Sequence, residues 1–248
     1  MKNFDEMDHE TLSDDLLVQR FGISSTAFSI EGQENWLTPG PVCTWSQAVT
    51  CNSSGWVTDV GISFPTGESR IPPAVGLLST MTSLQLQHAL LTGTIPSELG
   101  LLTQLAVLDL HSNTLTGSIP SELGLLTQLT VLFLSSNTLS GSIPSELGLL
   151  TQLISLYLGN NGLTGTIPIT IVSLTKLQLL LLDRNSLNGS IPSEIRALSN
   201  LNWLYLHENE LTGSIPIEIC DSMSIRPWID CEEIVCNCCV STSGTSCP

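Results

Sequence analysis

The chain has 248 residues, of which 7 are Lys or Arg and 23 are Asp or Glu, so its formal net charge is −16 at pH 7. This balance excludes the basic patch that nucleic-acid binding requires, and it disfavours an anionic membrane surface. No stretch reaches the roughly 18 apolar residues of a membrane helix, so we expect no membrane span in this chain.

The first 32 residues are acidic and contain no apolar run of signal-peptide length. We expect residues 1–32 to be partly disordered. Either the start of the protein is incomplete or secretion does not use a conventional signal. Residues 33–56 then bring the first two cysteines, Cys43 and Cys51, and form an N-terminal cap.

The middle of the chain is a tandem repeat. SIPSELGLLTQL occurs at 118–129 and again at 142–153, and TIPSELGLLTQL at 94–105 differs in its first residue alone. The twelve residues that follow each copy do change, from AVLDLHSNTLTG to TVLFLSSNTLSG to ISLYLGNNGLTG. A chain that is self-similar at a fixed period forms one solenoid of stacked units. Steps of 24 residues give seven units over residues 57–219.

Each unit begins with a strand pattern. In VLDL, alternation directs Leu108 and Leu110 inward and Asp109 outward, on a strand that pairs in parallel with the next unit. The chain then turns at Asn113, whose amide can satisfy backbone groups of the turn. Stepping by 24 predicts a ladder of stacked asparagines at Asn113, Asn137, Asn161, Asn185 and Asn209.

A second short strand follows, in which Leu115 and Ile119 point inward while Thr116 and Ser118 point outward. Pro120 then occupies the first residue of a helical turn, and Glu122 favours the dipole of that turn. This position explains a row of glutamates without any metal: Glu98, Glu122, Glu146, Glu194 and Glu218.

The remaining cysteines lie in residues 220–248, which we assign as a cysteine-rich C-terminal cap. Cysteines confined to the two ends indicate disulfides in an oxidising compartment, so we expect an extracellular or cell-surface protein. Zinc is less suitable, because the spacing matches no common site. Six cysteines allow fifteen pairings, so the pairing stays open. The predicted disulfide residues are Cys43, Cys51, Cys220, Cys231, Cys236, Cys238, Cys239 and Cys247.

The pattern in LAVLDLHSNTLTGSIPSELGLL resembles the plant-type leucine-rich repeat of receptor-kinase ectodomains and polygalacturonase-inhibiting proteins. CTWSQAVTC at 43–51, followed by WVTDVGI, is similar to the cysteine-paired N-terminal cap of that family. The resemblance covers about residues 33–220 and departs from the pattern at Pro65 and Ala89, where the asparagine is missing. It implies an α/β solenoid: a right-handed horseshoe with a parallel β-sheet on its concave face and short helical turns on its convex face.

The resemblance also implies a non-enzymatic module without a cofactor that binds a protein, peptide or glycan, in receptor-type signalling or defence. The outward residues of the inner strand vary from unit to unit, which favours a ligand face there. An exposed aromatic and aliphatic stripe is typical of a binding surface. The predicted stripe consists of Phe133, Tyr157, Leu181, Trp203 and Tyr205. The polar residues that flank it are Asp109, His111, Asp183, Arg184, His207 and Glu208.

Other functions have weaker support in the sequence. There is no GxSxG, HExxH or GxxxxGK[ST] motif, so an enzyme is not expected. An inhibitor of glycosidases is one alternative. Another is a binder of ice or a polysaccharide surface, through two columns of hydroxyls that include Thr116 and Ser118. N-x-S sequons at Asn52 and Asn188 predict glycans if the chain is secreted.

Overall fold

The computed structural model describes residues 49–51, 57–61, 70–214 and 226–228. Within this part, the units contribute an inner strand of three residues (five in the first unit), a second short strand in most units, and one helical turn in each of the first six units. The strands are, in chain order, β1 (Val49–Cys51), β2 (Val57–Gly61), β3 (Ser83–Gln85), β4 (Val107–Asp109), β5 (Thr116–Gly117), β6 (Val131–Phe133), β7 (Thr138–Ser142), β8 (Ser155–Tyr157), β9 (Gly162–Gly165), β10 (Leu179–Leu181), β11 (Ser186–Gly189), β12 (Trp203–Tyr205), β13 (Glu210–Leu211) and β14 (Arg226–Trp228).

The inner strands form one sheet in the order β1-β2-β3-β4-β6-β8-β10-β12-β14. Every pair in it is parallel except the first, in which β1 runs antiparallel to β2. Leu108 pairs with Leu132, and Leu132 pairs with Leu156, so the register advances by one 24-residue unit per strand. The predicted parallel sheet is confirmed. In addition, β14 extends this sheet from within the segment that we assigned to the C-terminal cap.

The core lies between this sheet and the helical turns. Leu108, Leu110 and Leu115 are fully buried, as are their counterparts in the following units. Parallel stacking of identical units brings each leucine against its own copy, which gives one continuous apolar core. No helix in the described ranges is long and apolar enough to cross a membrane.

The helical turns of the convex side are 3₁₀ helices throughout the described residues. Pro120 has φ −64° and ψ 134°, and its carbonyl accepts the Leu123 N–H at 3.2 Å. It therefore precedes the first helical residue, and our placement of Pro120 as that residue was wrong by one position. The six helices span Pro73–Leu77, Ser97–Leu101, Ser121–Leu125, Ser145–Leu149, Ile169–Ser173 and Ser193–Ala197.

Close packing of the first four of these helices depends on glycine. A Cβ at Gly124 would lie 2.5 Å from the carbonyl oxygen of Glu146 in the next unit, and Gly100 lies equally close to Glu122. The leucine after each glycine faces solvent, so a row of exposed leucines runs along the convex side. This row comprises Leu77, Leu101, Leu125 and Leu149.

The asparagine ladder satisfies the backbone of the turns. The Asn137 side-chain amide donates to the carbonyls of Leu110 at 3.0 Å and Leu134 at 3.1 Å, and its oxygen accepts the Leu115 N–H at 3.0 Å. Asn113 makes the same bonds and also accepts the N–H of Ala89 at 2.9 Å, so it serves the unit whose own asparagine is missing. The predicted ladder is confirmed from Asn113 to Asn209.

The outer strands form a second parallel sheet in the order β13-β11-β9-β7-β5. Its register differs from that of the inner sheet: Thr116 lies opposite Thr138, and Ser140 lies opposite Gly162. Each step is therefore 22 residues instead of 24. The hydroxyl columns that we predicted by stepping 24 residues run obliquely across this sheet instead of lying directly opposite one another.

Candidate functional site

The predicted stripe lies on the inner sheet. Phe133, Tyr157, Leu181 and Tyr205 are the last residues of β6, β8, β10 and β12, and they occupy one register line. Trp203 begins β12 and projects from the same face as Tyr205. All five side chains are partly exposed. The sheet therefore holds them as one surface, which we call the aromatic band.

Ring contacts link most members of the band. Phe133 and Tyr157 meet edge to face with centroids 4.2 Å apart, and Trp203 lies nearly parallel to Tyr205 at 6.2 Å. Leu181 fills the position between the two tyrosines. The contacts continue toward the N-terminal units through His111, whose ring lies 6.4 Å from Phe133 and 4.9 Å from His88. His88 lies outside the column that predicted the stripe, so the repeat pattern gave no indication of it.

Asp109 and His111 form a tight local pair. Nδ1 of His111 lies 2.6 Å from Oδ1 of Asp109, and the His111 backbone N–H donates to the same oxygen at 3.1 Å. The pair leaves the Asp109 side chain only 11% exposed. The Asp109 carboxylate is thus already paired with His111, and this pairing fixes its position on the surface.

The polar residues near the C-terminal end of the sheet form two pairs. Arg184 Nε donates to Glu208 at 3.1 and 3.3 Å, with both side chains more than half exposed. Such an exposed pair contributes about 0–1 kcal/mol to stability. Asp183 faces His207 with a separation of 3.8 Å between Oδ2 and Nε2. The structure therefore brings these four flanking residues together as two pairs, the first joined by hydrogen bonds and the second without one.

The environment of Tyr157 alters its acidity. Burial raises the pKa of the Tyr157 phenol above 10.0, and the nearby Tyr205 raises it further. The phenol is therefore protonated at neutral pH and available as a hydrogen-bond donor to a ligand. The strand register places the two tyrosines on either side of Leu181.

A groove on another side of the molecule is the second candidate for a binding surface. This groove, of about 1090 Å³, runs between the outer sheet and the 3₁₀ helices. Its wall contains Glu98, Glu122 and Glu146, each of which accepts a hydrogen bond from the serine before it at 3.1–3.3 Å. Among the described residues, no aromatic side chain lines this groove. We place the candidate site on the inner sheet, because the large, preorganised contact surface is there.

Other predicted sites are only partly covered. Asn188 is exposed on β11, on the outer sheet and away from the aromatic band. Cys51 lies in β1. Asn52 and the cysteines at the other predicted disulfide positions lie outside the described residues: Cys43, Cys220, Cys231, Cys236, Cys238, Cys239 and Cys247.

The repeat geometry and the comparison with protein families agree. Residues 104–126, 128–150, 152–174, 176–198 and 200–222 each match the model of the leucine-rich repeat. Together with similar solved structures from plant receptors, this decides the family. The chain is a plant-type leucine-rich-repeat protein. No curated protein sequence matches it.

Three solved structures illustrate the relationship of this leucine-rich-repeat chain. The plant peptide hormone receptor RGFR1, in complex with RGF2, is 38% identical with a TM-score of 0.65, covering 69% of this chain and 27% of that one. The ectodomain of the Arabidopsis receptor kinase HAESA, in complex with an IDA peptide hormone, is 27% identical with a TM-score of 0.67, covering 88% and 41%.

The third structure, a plant ice-binding protein, is 23% identical with a TM-score of 0.53, covering 86% of this chain and 95% of that one. At this identity the likeness concerns the fold alone. The chain spans less than half the length of the two receptor ectodomains.

Proposed function

We propose that this leucine-rich-repeat chain is a non-enzymatic recognition module that binds a peptide or protein on its inner, concave sheet. The observation that carries the proposal is the aromatic band, in which the sheet register fixes Phe133, Tyr157, Leu181 and Tyr205 in one line. Rings held on a rigid sheet give large contact areas with little conformational entropy to lose on binding.

The comparisons support a peptide as ligand. RGFR1 and HAESA, with which this chain shares 38% and 27% identity, are both described in complex with peptide hormones. A role in receptor-type signalling or defence follows from the same relationship. A glycan is the second ligand class, and the binding experiment below distinguishes it from a peptide.

We further propose an extracellular or cell-surface location, with disulfides in both caps and glycans at Asn52 and Asn188. Counting free thiols on the purified, natively expressed protein tests this. Few or none of the eight cysteines should react before reduction. If most of them react, the cysteines are reduced in the native compartment and the location is wrong.

The binding proposal is tested with a library of random linear peptides selected on the intact chain. Dissociation constants of the selected peptides are then measured for Tyr157→Ala and Tyr205→Ala by calorimetry. Each change removes a ring of the band while the leucines of the core stay in place, so we expect about tenfold weaker binding or more with a small change in melting temperature.

The matched control is the double variant Thr116→Ala with Thr164→Ala, on exposed positions of the outer sheet. It should bind the same peptides as the unmodified chain does. If this control abolishes binding and the tyrosine variants do not, the ligand surface is the outer sheet. If the library yields no binder but a glycan array does, the ligand class in the proposal is wrong.

A further inference from the structure

Asp183 lies at the centre of a small grid on the inner sheet. It follows β10, and hydrogen bonds fix it between its counterparts in the neighbouring units: its carbonyl accepts the Asn160 N–H at 2.8 Å, and the Arg184 N–H donates to the His207 carbonyl at 2.9 Å. By this register Gly159 lies on one side of Asp183 and His207 on the other. The aromatic band, with Leu181 in its middle, runs two residues earlier in each unit.

The glycine provides a notch that this carboxylate fills. A Cβ built on Gly159 would lie 2.6 Å from Oδ1 of Asp183, closer than real Cβ contacts allow. The carboxylate therefore leans over the backbone of Gly159, in the space that a side chain would otherwise fill. This notch adjoins Tyr157, which is two residues before Gly159 on the same face.

The Asp183 carboxylate is largely desolvated but poorly paired. Its side chain is 15% exposed, and the imidazole that faces it, Nε2 of His207, is 3.8 Å away. A hydrogen bond from nitrogen to oxygen spans about 2.7–3.2 Å, so this contact is too long to be one. Asp109, which is similarly enclosed, differs because His111 donates to it from the ring and the backbone.

A desolvated carboxylate without a close donor is costly, and a cation of the ligand would offset that cost. The neighbouring Arg184 does not fill this role, because its guanidinium is held by Glu208 at 3.1 Å. Leu181 and the rings of Tyr157 and Tyr205 surround the approach with apolar and aromatic surface. Such surface suits the stem of a long basic side chain, and ring faces attract its charge.

We propose that Asp183 anchors a cation subsite, in which an Arg or Lys side chain of the ligand binds the carboxylate that fills the notch over Gly159. The inference rests on the proposed function, since it names one feature of the ligand that binds the aromatic band. It specifies a basic residue adjacent to apolar residues of a peptide.

The test compares two probes on the intact chain: N-acetyl-Leu-Arg-amide and N-acetyl-Leu-citrulline-amide, which has nearly the same shape without the charge. Binding is followed by NMR titration. The unmodified chain should bind the arginine probe about tenfold more tightly than the citrulline probe. Asp183→Asn should remove this preference. Asp109→Asn removes the same charge from the same face, but it should keep the preference, because His111 already occupies that carboxylate.

Gly159→Ala provides a second test without any charge change. Its methyl group needs the space that the Asp183 carboxylate occupies and must displace it, so the arginine preference should fall even though Asp183 is present. Melting temperatures establish that each variant is folded, and Asp183→Glu replaces Asp183→Asn if the latter is not. The longer side chain moves the charge out of the notch and should lower the preference.

The outcomes separate the two proposals. If Asp183→Asn and Asp109→Asn lower arginine binding equally, the net charge explains it and the subsite is wrong. If Tyr205→Ala weakens both probes while Asp183→Asn changes neither, the band binds ligands but the subsite is wrong. If neither Tyr205→Ala nor Asp183→Asn affects either probe, both proposals fail.

Discussion

Phe133 and Tyr157 meet edge to face on neighbouring strands, with ring centroids 4.2 Å apart and ring planes at 85°. The contact comes from the parallel register, which places Phe133 directly opposite Tyr157. It shields one side of the phenol from water, while Leu181 lies opposite Tyr157 on the other neighbouring strand. This enclosure disfavours the phenolate, and it explains why burial is the larger cause of the raised pKa of Tyr157.

The first prediction concerns this phenol. The chain has 2 tyrosines, so an ultraviolet titration resolves them individually. In the folded protein one phenol should ionise above pH 10.0, and Tyr157→Phe should remove that step. Tyr205→Phe should lower the pKa of Tyr157, because Tyr205 contributes to raising it. In the Tyr205→Phe variant the remaining phenol is that of Tyr157. If this phenol ionises with an unshifted pKa of 10.0, the burial of Tyr157 is contradicted.

The same shift affects stability at alkaline pH. Because the pKa of Tyr157 is raised on folding, the folded state binds the phenolic proton more tightly than the unfolded state does. This contribution is complete below pH 10.0 and is lost as the pH rises through the raised pKa. Denaturation at a series of alkaline pH values should therefore show a smaller fall in the free energy of unfolding for Tyr157→Phe than for the unmodified chain.

The second prediction concerns the asparagine ladder. Asn137→Ala removes the acceptor of the buried Leu115 N–H and one of the two amide donors to each of the Leu110 and Leu134 carbonyls. The two carbonyls keep their bonds from Asn113 and Asn161. The Leu115 N–H is left unsatisfied at a cost of about 1–3 kcal/mol, so we expect the free energy of unfolding to fall by about that amount. Urea denaturation measures this. Asn202→Ala, at an exposed position, is the control and should change stability by less than about 0.5 kcal/mol.

Much of this fold follows from the 24-residue period. Identical units can stack only if each residue meets its own copy, so Leu108 and Asn113 predict the burial of every counterpart. The second strand was predicted, but the register of the outer sheet was not, because its pairing is offset by two residues from the 24-residue period. Thr116 therefore lies opposite Thr138 rather than Ser140. The repeat gives no signal of that offset.

The candidate site also has features that the sequence predicts and features that it does not. Large side chains such as Tyr157 and Tyr205 could be placed on the inner face by alternation alone. The notch over Gly159 could not be predicted in this way. Glycine has no side chain, so its position in the repeat does not indicate which neighbouring group occupies the space above it. Only the structure shows that the space is taken by the carboxylate of Asp183. In the sequence, Asp183 follows Gly159 by one 24-residue unit, so the two occupy the same position of neighbouring repeats. A glycine followed by an acidic residue at that position is the sequence signal that could have indicated the site.

The third prediction concerns the convex packing. Gly124→Ala would place its Cβ 2.5 Å from the carbonyl oxygen of Glu146, which is backbone and cannot rotate away. The two helices must separate, so we expect a loss of about 1–3 kcal/mol in the free energy of unfolding. Thermal denaturation provides the measurement. Thr127→Ala, three residues later and exposed, should be nearly neutral, and an equal loss in both variants would refute the packing argument.

The last prediction concerns Ser112, which has φ +55° immediately before the ladder residue Asn113. Residues with a Cβ pay about 1–2 kcal/mol in this left-handed region, whereas glycine adopts it freely. Ser112→Gly should therefore raise the free energy of unfolding by up to about 1 kcal/mol, because relief of strain exceeds the extra entropy of an unfolded glycine. Ser135→Gly is the control: its φ is not positive, so the same substitution should destabilise by about 0.5–1 kcal/mol. Chemical denaturation of the two variants gives the sign directly. If both substitutions destabilise equally, the left-handed position carries no strain, and the turn before each asparagine is held by its hydrogen bonds alone.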